Sequence, residues 1–522
     1  MADTLKEQER NELHKTIWDL ANKLRGSVSG WDFKQYMLCT LFYRFISESF
    51  ADYVNRGERD AGDKTFDYAD LPDDEAEKAR TGLVESLGYF ILPSQLFCNV
   101  CKNARNDENL NMTVERVFKG IEGSAVGTAS EDDIAGLFAD FNVNDTRLGK
   151  TVEKRNEKLV QILEGVAGMA LGGGKQHVID VFGDAYEYLM GMYAANAGKV
   201  GGEYFTPQEV ARLLALLATA GRKSVGKVYD PACGSGSLLL QVARVLGPKN
   251  VRDGFYGQEI EQTTYNLCRI NMFLHDVGYD KFDIANEDTL LAPAPQHEAE
   301  APFDVIVSNP PYSIPWKGDD NPLLINDPRF SPAGVLAPKN NSDFAFILHG
   351  LSWLSTDGAA AFVCFPGIMY RGGAEQKIRR YLVANNFVDA VIQLPGNLFF
   401  GVGISTTIMV LKKNKRDNAI LFVDAGKEFV KNGNKNKLTE ENIQKVVKAC
   451  AARKDAQYFA RLVPFAEVEG KDFNLSVSTY VEQEDTREEI DIKKLNAEIA
   501  EITKRGQELR AQIDAIVKDL EA

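Results

Sequence analysis

The chain has 522 residues, 44% of them hydrophobic and 26% charged, and a net charge of −15. This is the balance of a soluble globular protein, with length for about two to four domains, and no run approaches the ~20 apolar residues that a membrane helix needs. Seven cysteines form an odd, sparse set that argues against a disulfide framework; with a polar, charged start at Met1–Leu13 instead of a secretory signal, they point to a cytoplasmic protein with no membrane partner.

Three regions follow in chain order, with expected boundaries at 1–165, 166–431 and 432–522. The first reads as mainly helical: Leu13, Ile17, Leu20 and Leu24 recur at helical spacing, and a second apolar run spans Tyr36–Ile46. The Asp-rich segment Gly57–Glu75 reads as an exposed loop. In the second region short β-rich runs alternate with helical patterns, as in βαβ units with a parallel sheet. Strands are predicted at Lys227–Tyr229, Gly254–Gln258, Phe303–Ser308, Ala360–Phe365, Val388–Leu394 and Thr406–Leu411. The third region opens with a basic, Asn-rich loop, Lys431–Lys437, and ends in a long helix. There Leu495, Ile499, Ile502, Leu509, Ile513, Ile516 and Leu520 step by fours and threes, interrupted at Gly506. Such a seam either packs on its own domain or docks on a helix of another subunit, and its place at the end of the sequence favours docking.

Chemistry concentrates at the predicted strand ends. The first strand runs into Asp230-Pro231-Ala232-Cys233-Gly234-Ser235-Gly236-Ser237, and a helix opens at about Ser237. Gly234 and Gly236 permit a tight turn and close approach of a ligand, although a Gly-x-Gly turn alone fits any Rossmann-like nucleotide site. The second strand ends at Glu259, suited to both hydroxyls of a ribose, and the third unit carries Asp288, suited to an adenine amino group. Before the turn lies Gly201-Gly202-Glu203-Tyr204-Phe205-Thr206-Pro207, where the glycines allow close backbone approach and Thr206 is placed to cap a helix after Pro207.

The most specific element is Asn309-Pro310-Pro311-Tyr312, directly after Phe303–Ser308. An exocyclic amino nitrogen is a poor nucleophile because its lone pair is delocalised into the ring. Two acceptors, the Asn309 side-chain oxygen and the Pro310 carbonyl, can hold its protons and favour a pyramidal nitrogen. The prolines stiffen the loop, and Tyr312 offers a face for a flipped base. A methyl group carried on a sulfonium is already activated, so this chemistry calls for no metal and no covalent nucleophile.

In this order the motifs resemble the amino-group DNA methyltransferases in their gamma arrangement. The resemblance implies a Rossmann-like α/β fold with a mainly parallel sheet, a helical N-terminal domain and a C-terminal helix. It implies S-adenosylmethionine held by Gly202, Glu203, Tyr204, Phe205, Thr206, Pro207, Asp230, Gly234, Ser235, Gly236, Ser237, Glu259 and Asp288, and a target adenine held by Asn309, Pro310, Pro311 and Tyr312. More closely, Ile17–Gly26, Tyr43–Ser47, Asn341–Phe346, Phe365–Gly367 and Asn397–Gly401 resemble the modification (M) subunit of type I restriction-modification systems, nearest the type IC branch. That family implies partners: double-stranded DNA, a specificity subunit that chooses the sequence, a second M subunit and a motor-nuclease subunit. The acidic charge agrees, since phosphate contacts call for Lys and Arg. Only about 70 residues separate Gly236 from Asn309, too few for an inserted target-reading domain of ordinary size.

Other signals carry less. Gly221–Val228 nearly spells a phosphate-binding loop but lacks the Ser or Thr that holds magnesium and precedes a strand. Cys98 and Cys101 form a lone CxxC, best read as buried helix cysteines, and the five histidines have no ligand spacing. Two alternatives stand beside the main reading: a stand-alone amino-group methyltransferase, including the glutamine-modifying enzymes that share Asn-Pro-Pro-Tyr, and a catalytically silent scaffold that binds the cofactor.

Overall fold

The computed structural model describes residues 11–19, 30–169, 171, 182–183, 185–186, 188–189, 206–318, 321, 323–399, 403–433, 435–484 and 492–521. They belong to two compact units, 1–481 and 482–522.

The N-terminal part of the first unit is helical, with long helices at Gly30–Ala61, Leu110–Ser124 and Val152–Ala167. The apolar run read from the sequence is their core: Met37, Leu38, Leu41, Phe42, Tyr43 and Ile46 are all buried. Arg44, on the same helix, donates to the carbonyls of Val166 (2.6 Å) and Met169 (2.9 Å). It thereby satisfies carbonyls that the end of the third helix leaves without intrahelical partners. The segment Gly57–Glu75 is mostly exposed, as expected, but it is not all loop. The first helix runs on to Ala61, and Tyr68 is buried, its amide held by Asn55 (2.7 Å) and its hydroxyl donating to Ile91 O (2.8 Å). A buried tyrosine amid aspartates is invisible to a composition argument. Cys98 and Cys101 do lie on a helix, Phe97–Asn103, but Cys98 is exposed and Cys101 half-buried. Two residues on the opposite helix Gln262–Leu274 fasten this region to the sheet: Arg269 donates to Asp132 O and Ala135 O, and Thr263 to Asp140.

Eleven strands follow: β1 (Val225–Asp230), β2 (Val251–Gln258), β3 (Phe282–Ala285), β4 (Phe303–Ser308), β5 (Leu354–Cys364), β6 (Val388–Gln393), β7 (Thr407–Lys412), β8 (Ile420–Asp424), β9 (Val430–Asn432), β10 (Lys435–Lys437) and β11 (Ala460–Val463). Among the described residues nine of these strands form one sheet in the order β11-β8-β6-β7-β5-β4-β1-β2-β3, in which β7 and β11 run antiparallel to their neighbours, and β9 and β10 pair antiparallel apart from it. The six predicted strands are present within a few residues. β3, β8 and β11 are additional, and β11 carries the sheet beyond residue 431, where the sequence reading placed a domain boundary. Both faces are covered: Val305 and Val307 of β4 point into one apolar layer and Ile306 into the other.

From β1 the chain progresses through β2 and β3 to one edge, then returns to place β4 on the other side of β1. The crevice at such a reversal, beyond the carboxyl ends of the strands, is where open α/β sheets bind ligands. Here it brings the segment after Asp230 next to the segment after Ser308, because Tyr229 is in register with Ile306.

The second unit is dominated by a 30-residue helix, Ile492–Glu521, which passes through Gly506 without a break. The seam residues from Leu495 to Leu520 are exposed on it. Among the described residues no helix is long and apolar enough to cross a membrane.

Candidate active site

The turn after β1 is built to bring backbone close to a ligand. Gly234 and Gly236 both have positive φ, 53° and 76°. A Cβ at Gly236 would also stand 2.7 Å from Cys268 Sγ, so conformation and space both require glycine. Asn271 donates to Ser235 O at 2.8 Å and braces the turn from the helix Gln262–Leu274. Ser237 begins the helix Ser237–Leu246, whose positive end faces the turn. Asp230 is wholly buried and shapes the turn by accepting from Ala232 N at 3.0 Å; burial pushes its pKa up to about 7.

Glu259, just past β2, reaches back over the turn. One carboxylate oxygen accepts from Gly234 N (3.1 Å) and the other from Glu261 N (2.9 Å), while burial raises its pKa. Asp288 accepts from Leu290 N and Leu291 N at 3.0 and 3.2 Å, which fixes the loop after β3. Both acids line a cavity of about 440 Å³ whose walls also include Ile260, Leu291, Asn309, Pro311 and Trp316. Carboxylate acceptors, apolar walls and a side-chain amide in one cavity suit a nucleoside with a polar tail, in a volume ordinary for such ligands. Ile260, Leu291 and Trp316 went unnoticed in the sequence because a lone apolar residue in a loop carries no periodic signal.

The loop after β4 is held on several sides. Asn309 donates from Nδ2 to Thr206 Oγ1 at 3.0 Å, and the Tyr312 hydroxyl donates to Asn309 Oδ1. Ser313, at φ 51°, donates its amide to Asp343 at 2.9 Å, and Trp316 donates to the carbonyls of Lys339 and Pro338. The structure thus joins Thr206, Asp230, Gly234, Ser235, Gly236, Ser237, Glu259, Asp288 and Asn309–Tyr312 at one sheet edge. Gly202, Glu203, Tyr204 and Phe205 lie outside the described residues. Thr206 does not cap a helix: Pro207 is the N-cap of Gln208–Ala218 without a side-chain cap bond, and the threonine hydroxyl is turned to Asn309 instead.

A buried polar chain runs behind Asp230, Glu259 and Asp288. Arg329 pairs with Asp327 (2.7 Å) and donates to Thr289 O (2.7 Å) and Leu290 O (2.9 Å), the residues directly after Asp288. It also contacts His349 Nδ1 (3.2 Å), whose Nε2 meets the Tyr229 hydroxyl (2.9 Å), which donates to Gln258 (3.1 Å). Burial and the adjacent guanidinium hold His349 well below its ordinary pKa, so it is neutral. No sequence pattern marks Arg329, which acts only through folded-state contacts.

Residues 177–489 match the N-6 DNA methylase family and residues 13–166 the HsdM N-terminal domain. The chain is 48% identical to the type I restriction enzyme MpnII methylase subunit of Mycoplasma pneumoniae, covering 98% of this chain and 97% of that one. It is 28% identical to the MjaVII methylase subunit of Methanocaldococcus jannaschii, over 99% and 85%. Among solved structures it is similar to the type I restriction-modification methyltransferase subunit of Streptococcus thermophilus, with a TM-score of 0.82, 34% identity, and coverage of 91% of this chain and 100% of that one.

Proposed function

The chain belongs to the N-6 DNA methylase family and, within it, to the methylase subunits of type I restriction-modification systems, and from that premise we propose how its residues divide the work. It is an S-adenosylmethionine-dependent, adenine-specific DNA methyltransferase. Gly234, Ser235, Gly236 and Ser237, with Asp230 shaping the turn, hold the amino-acid end of the cofactor together with Gly202–Pro207. Glu259 takes the ribose and Asp288 the adenine. The cofactor supplies a methyl group activated by its sulfonium charge.

Asn309, Pro310, Pro311 and Tyr312 receive the target adenine, which must leave the base stack to reach them. The observation that carries this reading is the amide of Asn309, fixed by Thr206 in the wall of the same cavity that Glu259 and Asp288 line. With Nδ2 donating to Thr206, Oδ1 is the acceptor that would face the base. An amide oxygen has two acceptor sites, so it can accept a hydrogen bond from one adenine N6–H beside the Tyr312 hydroxyl. Pro310 O would accept from the other N6–H, leaving the nitrogen lone pair to face the methyl group; the C–N bond would form as the S–C bond breaks, and one N6 proton would pass to solvent.

The three regions 1–165, 166–431 and 432–522 correspond to a helical domain, a catalytic domain and a docking region, with β11 as a late addition to the catalytic sheet. The chain works in the cytoplasm and belongs to the type IC branch of the M subunits that Asn341–Phe346, Phe365–Gly367 and Asn397–Gly401 resemble. Its partners are double-stranded DNA, a specificity subunit, a second copy of itself and a motor-nuclease subunit. The test is transfer of labelled methyl from S-adenosylmethionine to DNA, by the chain alone and with the specificity protein of its operon. Label in N6-methyladenine only with the partner supports this division. Sequence-specific transfer by the chain alone overturns it.

A further inference from the structure

The Lys431–Lys437 segment, read from sequence as a loop, is a β-hairpin of β9 and β10. Residues 429–439 hold three lysines and no acid, in a chain of net charge −15. Lys431 and Lys437 are exposed and Lys435 is half-buried. Lys431 pairs across the ladder with Asn436, while exposed Lys437 projects from the other face and Lys435 turns its ammonium inward, so each face presents one exposed lysine. Of the neighbouring acids, Glu428 is engaged by Lys445 (2.5 Å) and Asn442 (3.2 Å) and Glu440 by Arg212 (3.0 Å), while half-buried Glu209 lies beside Lys437 and Glu441 opens the next helix.

Two contacts fix where this charge stands. Buried Asn436 donates its backbone amide to Asn397 O (3.0 Å) and its side chain to Gly396 O (2.7 Å), just past the carboxyl end of β6. β6 runs in the same direction as β4, three strand positions away, so its carboxyl end lies at the edge that bears Asn309. At ~4.8 Å per strand the offset is about 14 Å. On the other side, Glu209 lies near Lys437, three residues after Thr206, whose hydroxyl holds Asn309. The hairpin therefore places exposed lysines at the sheet edge that bears Asn309, in a chain whose 75 acids outnumber its 60 Lys and Arg.

We propose that this hairpin grips the phosphate backbone of the DNA strand flanking the target adenine, and that it supplies a share of DNA affinity that belongs to this subunit and not to the specificity subunit. The offset of about 14 Å corresponds to roughly four phosphates along one strand at ~3.4 Å each. The contact is independent of sequence, since lysine at a phosphate reads charge and not base identity.

The inference rests on the adenine-methyltransferase reading, and the experiment separates the two. The complex with the specificity subunit is prepared as wild type, as Lys431→Gln/Lys437→Gln and as Lys431→Arg/Lys437→Arg. Binding to the target duplex is measured across a salt series, with methyl transfer and the KM for S-adenosylmethionine. The Gln pair is expected to weaken duplex binding about 10-fold or more and to lower the slope of log K against log salt by about 1.8, or ~0.9 per lost phosphate contact. The KM for S-adenosylmethionine stays at the wild-type value, and the Arg pair binds as wild type. An active wild type with unchanged affinity and slope in the Gln pair overturns the hairpin's role alone. So does loss of assembly with the specificity subunit, which would make the hairpin a protein interface. A wild-type complex that transfers no methyl to adenine overturns the underlying reading.

Discussion

The side-chain amide of Asn309 donates to the hydroxyl of Thr206 at 3.0 Å, across 103 residues of sequence. If Asn309 receives the base as proposed, this bond sets which end of its amide faces it, since a reversed amide would present donors to an amino group that is itself a donor. Thr206→Val removes the acceptor while keeping the shape. The expected result is a 10- to 100-fold lower kcat, about 1.4–2.7 kcal/mol, with the KM for S-adenosylmethionine changed less than twofold. Thr206→Ser restores the rate. A raised KM at unchanged kcat would return Thr206 to a purely cofactor-binding role.

Arg329 ties the loop after the target-base motif to the loop that presents Asp288, through Thr289 O and Leu290 O. Arg329→Met leaves Asp327 without its guanidinium partner and frees both carbonyls. Breaking a largely buried pair on one side costs roughly 3–5 kcal/mol, so the melting temperature falls. Arg329→Met/Asp327→Asn recovers part of that loss by removing the orphaned charge. The KM for S-adenosylmethionine is expected to stay at least 10-fold high in both variants. Recovery of KM together with stability would mean that Arg329 only holds the fold.

The strands and strand-end motifs around this site were legible because alternation, glycine placement and Asn-Pro-Pro-Tyr are local patterns. β1, β2 and β4 stand out as compact apolar runs ending in chemistry. β3 is four residues long and β8 five, and β11 pairs antiparallel at the sheet edge, so none offers a window long enough for periodicity. Thr206 was seen as a motif residue but assigned to a helix cap, because its real partner is 103 residues away. Arg329, Ile260 and Trp316 act through tertiary neighbours and leave no trace in spacing. The Lys431–Lys437 segment looked like a loop because Asn and Gly dominate it. It pairs as a hairpin, and two hydrogen bonds from Asn436 anchor it to Gly396 and Asn397, 40 and 39 residues away in sequence.

Asp230 makes stability depend on pH in a definite direction. Its pKa is about 7 in the folded chain and about 3.9 when unfolded. Between these values the folded state keeps a proton that the unfolded state has released, so stability falls as pH rises from about 4 to about 7 and levels off above. Asp230→Asn keeps an oxygen for Ala232 N but cannot ionise. The cofactor-free variant is expected to melt with wild type near pH 4 and progressively above it toward pH 7, by up to about 4 kcal/mol. Parallel melting curves across that range would show that the folded carboxyl is ionised throughout.

The helix Ile492–Glu521 forms a unit apart from the sheet. At 1.5 Å per residue it is about 45 Å long. Its seam residues are exposed, and burying an Ile or Leu side chain contributes about 1.5–3 kcal/mol. Three or four such residues on a partner helix suffice for a stable subunit contact, whereas in isolation they cost solubility. A chain ending before Asp491 is therefore expected to keep its melting temperature and its affinity for S-adenosylmethionine while no longer co-purifying with the specificity subunit. Ile502→Asp/Ile513→Asp in the full-length chain is expected to do the same, because a charge in a heptad seam must be desolvated to pair. Glu501→Ala, a change in length and charge off the seam, leaves assembly intact. Unchanged co-purification of both the truncated and the double-Asp chains would place the subunit contact elsewhere and leave the seam without a role in assembly.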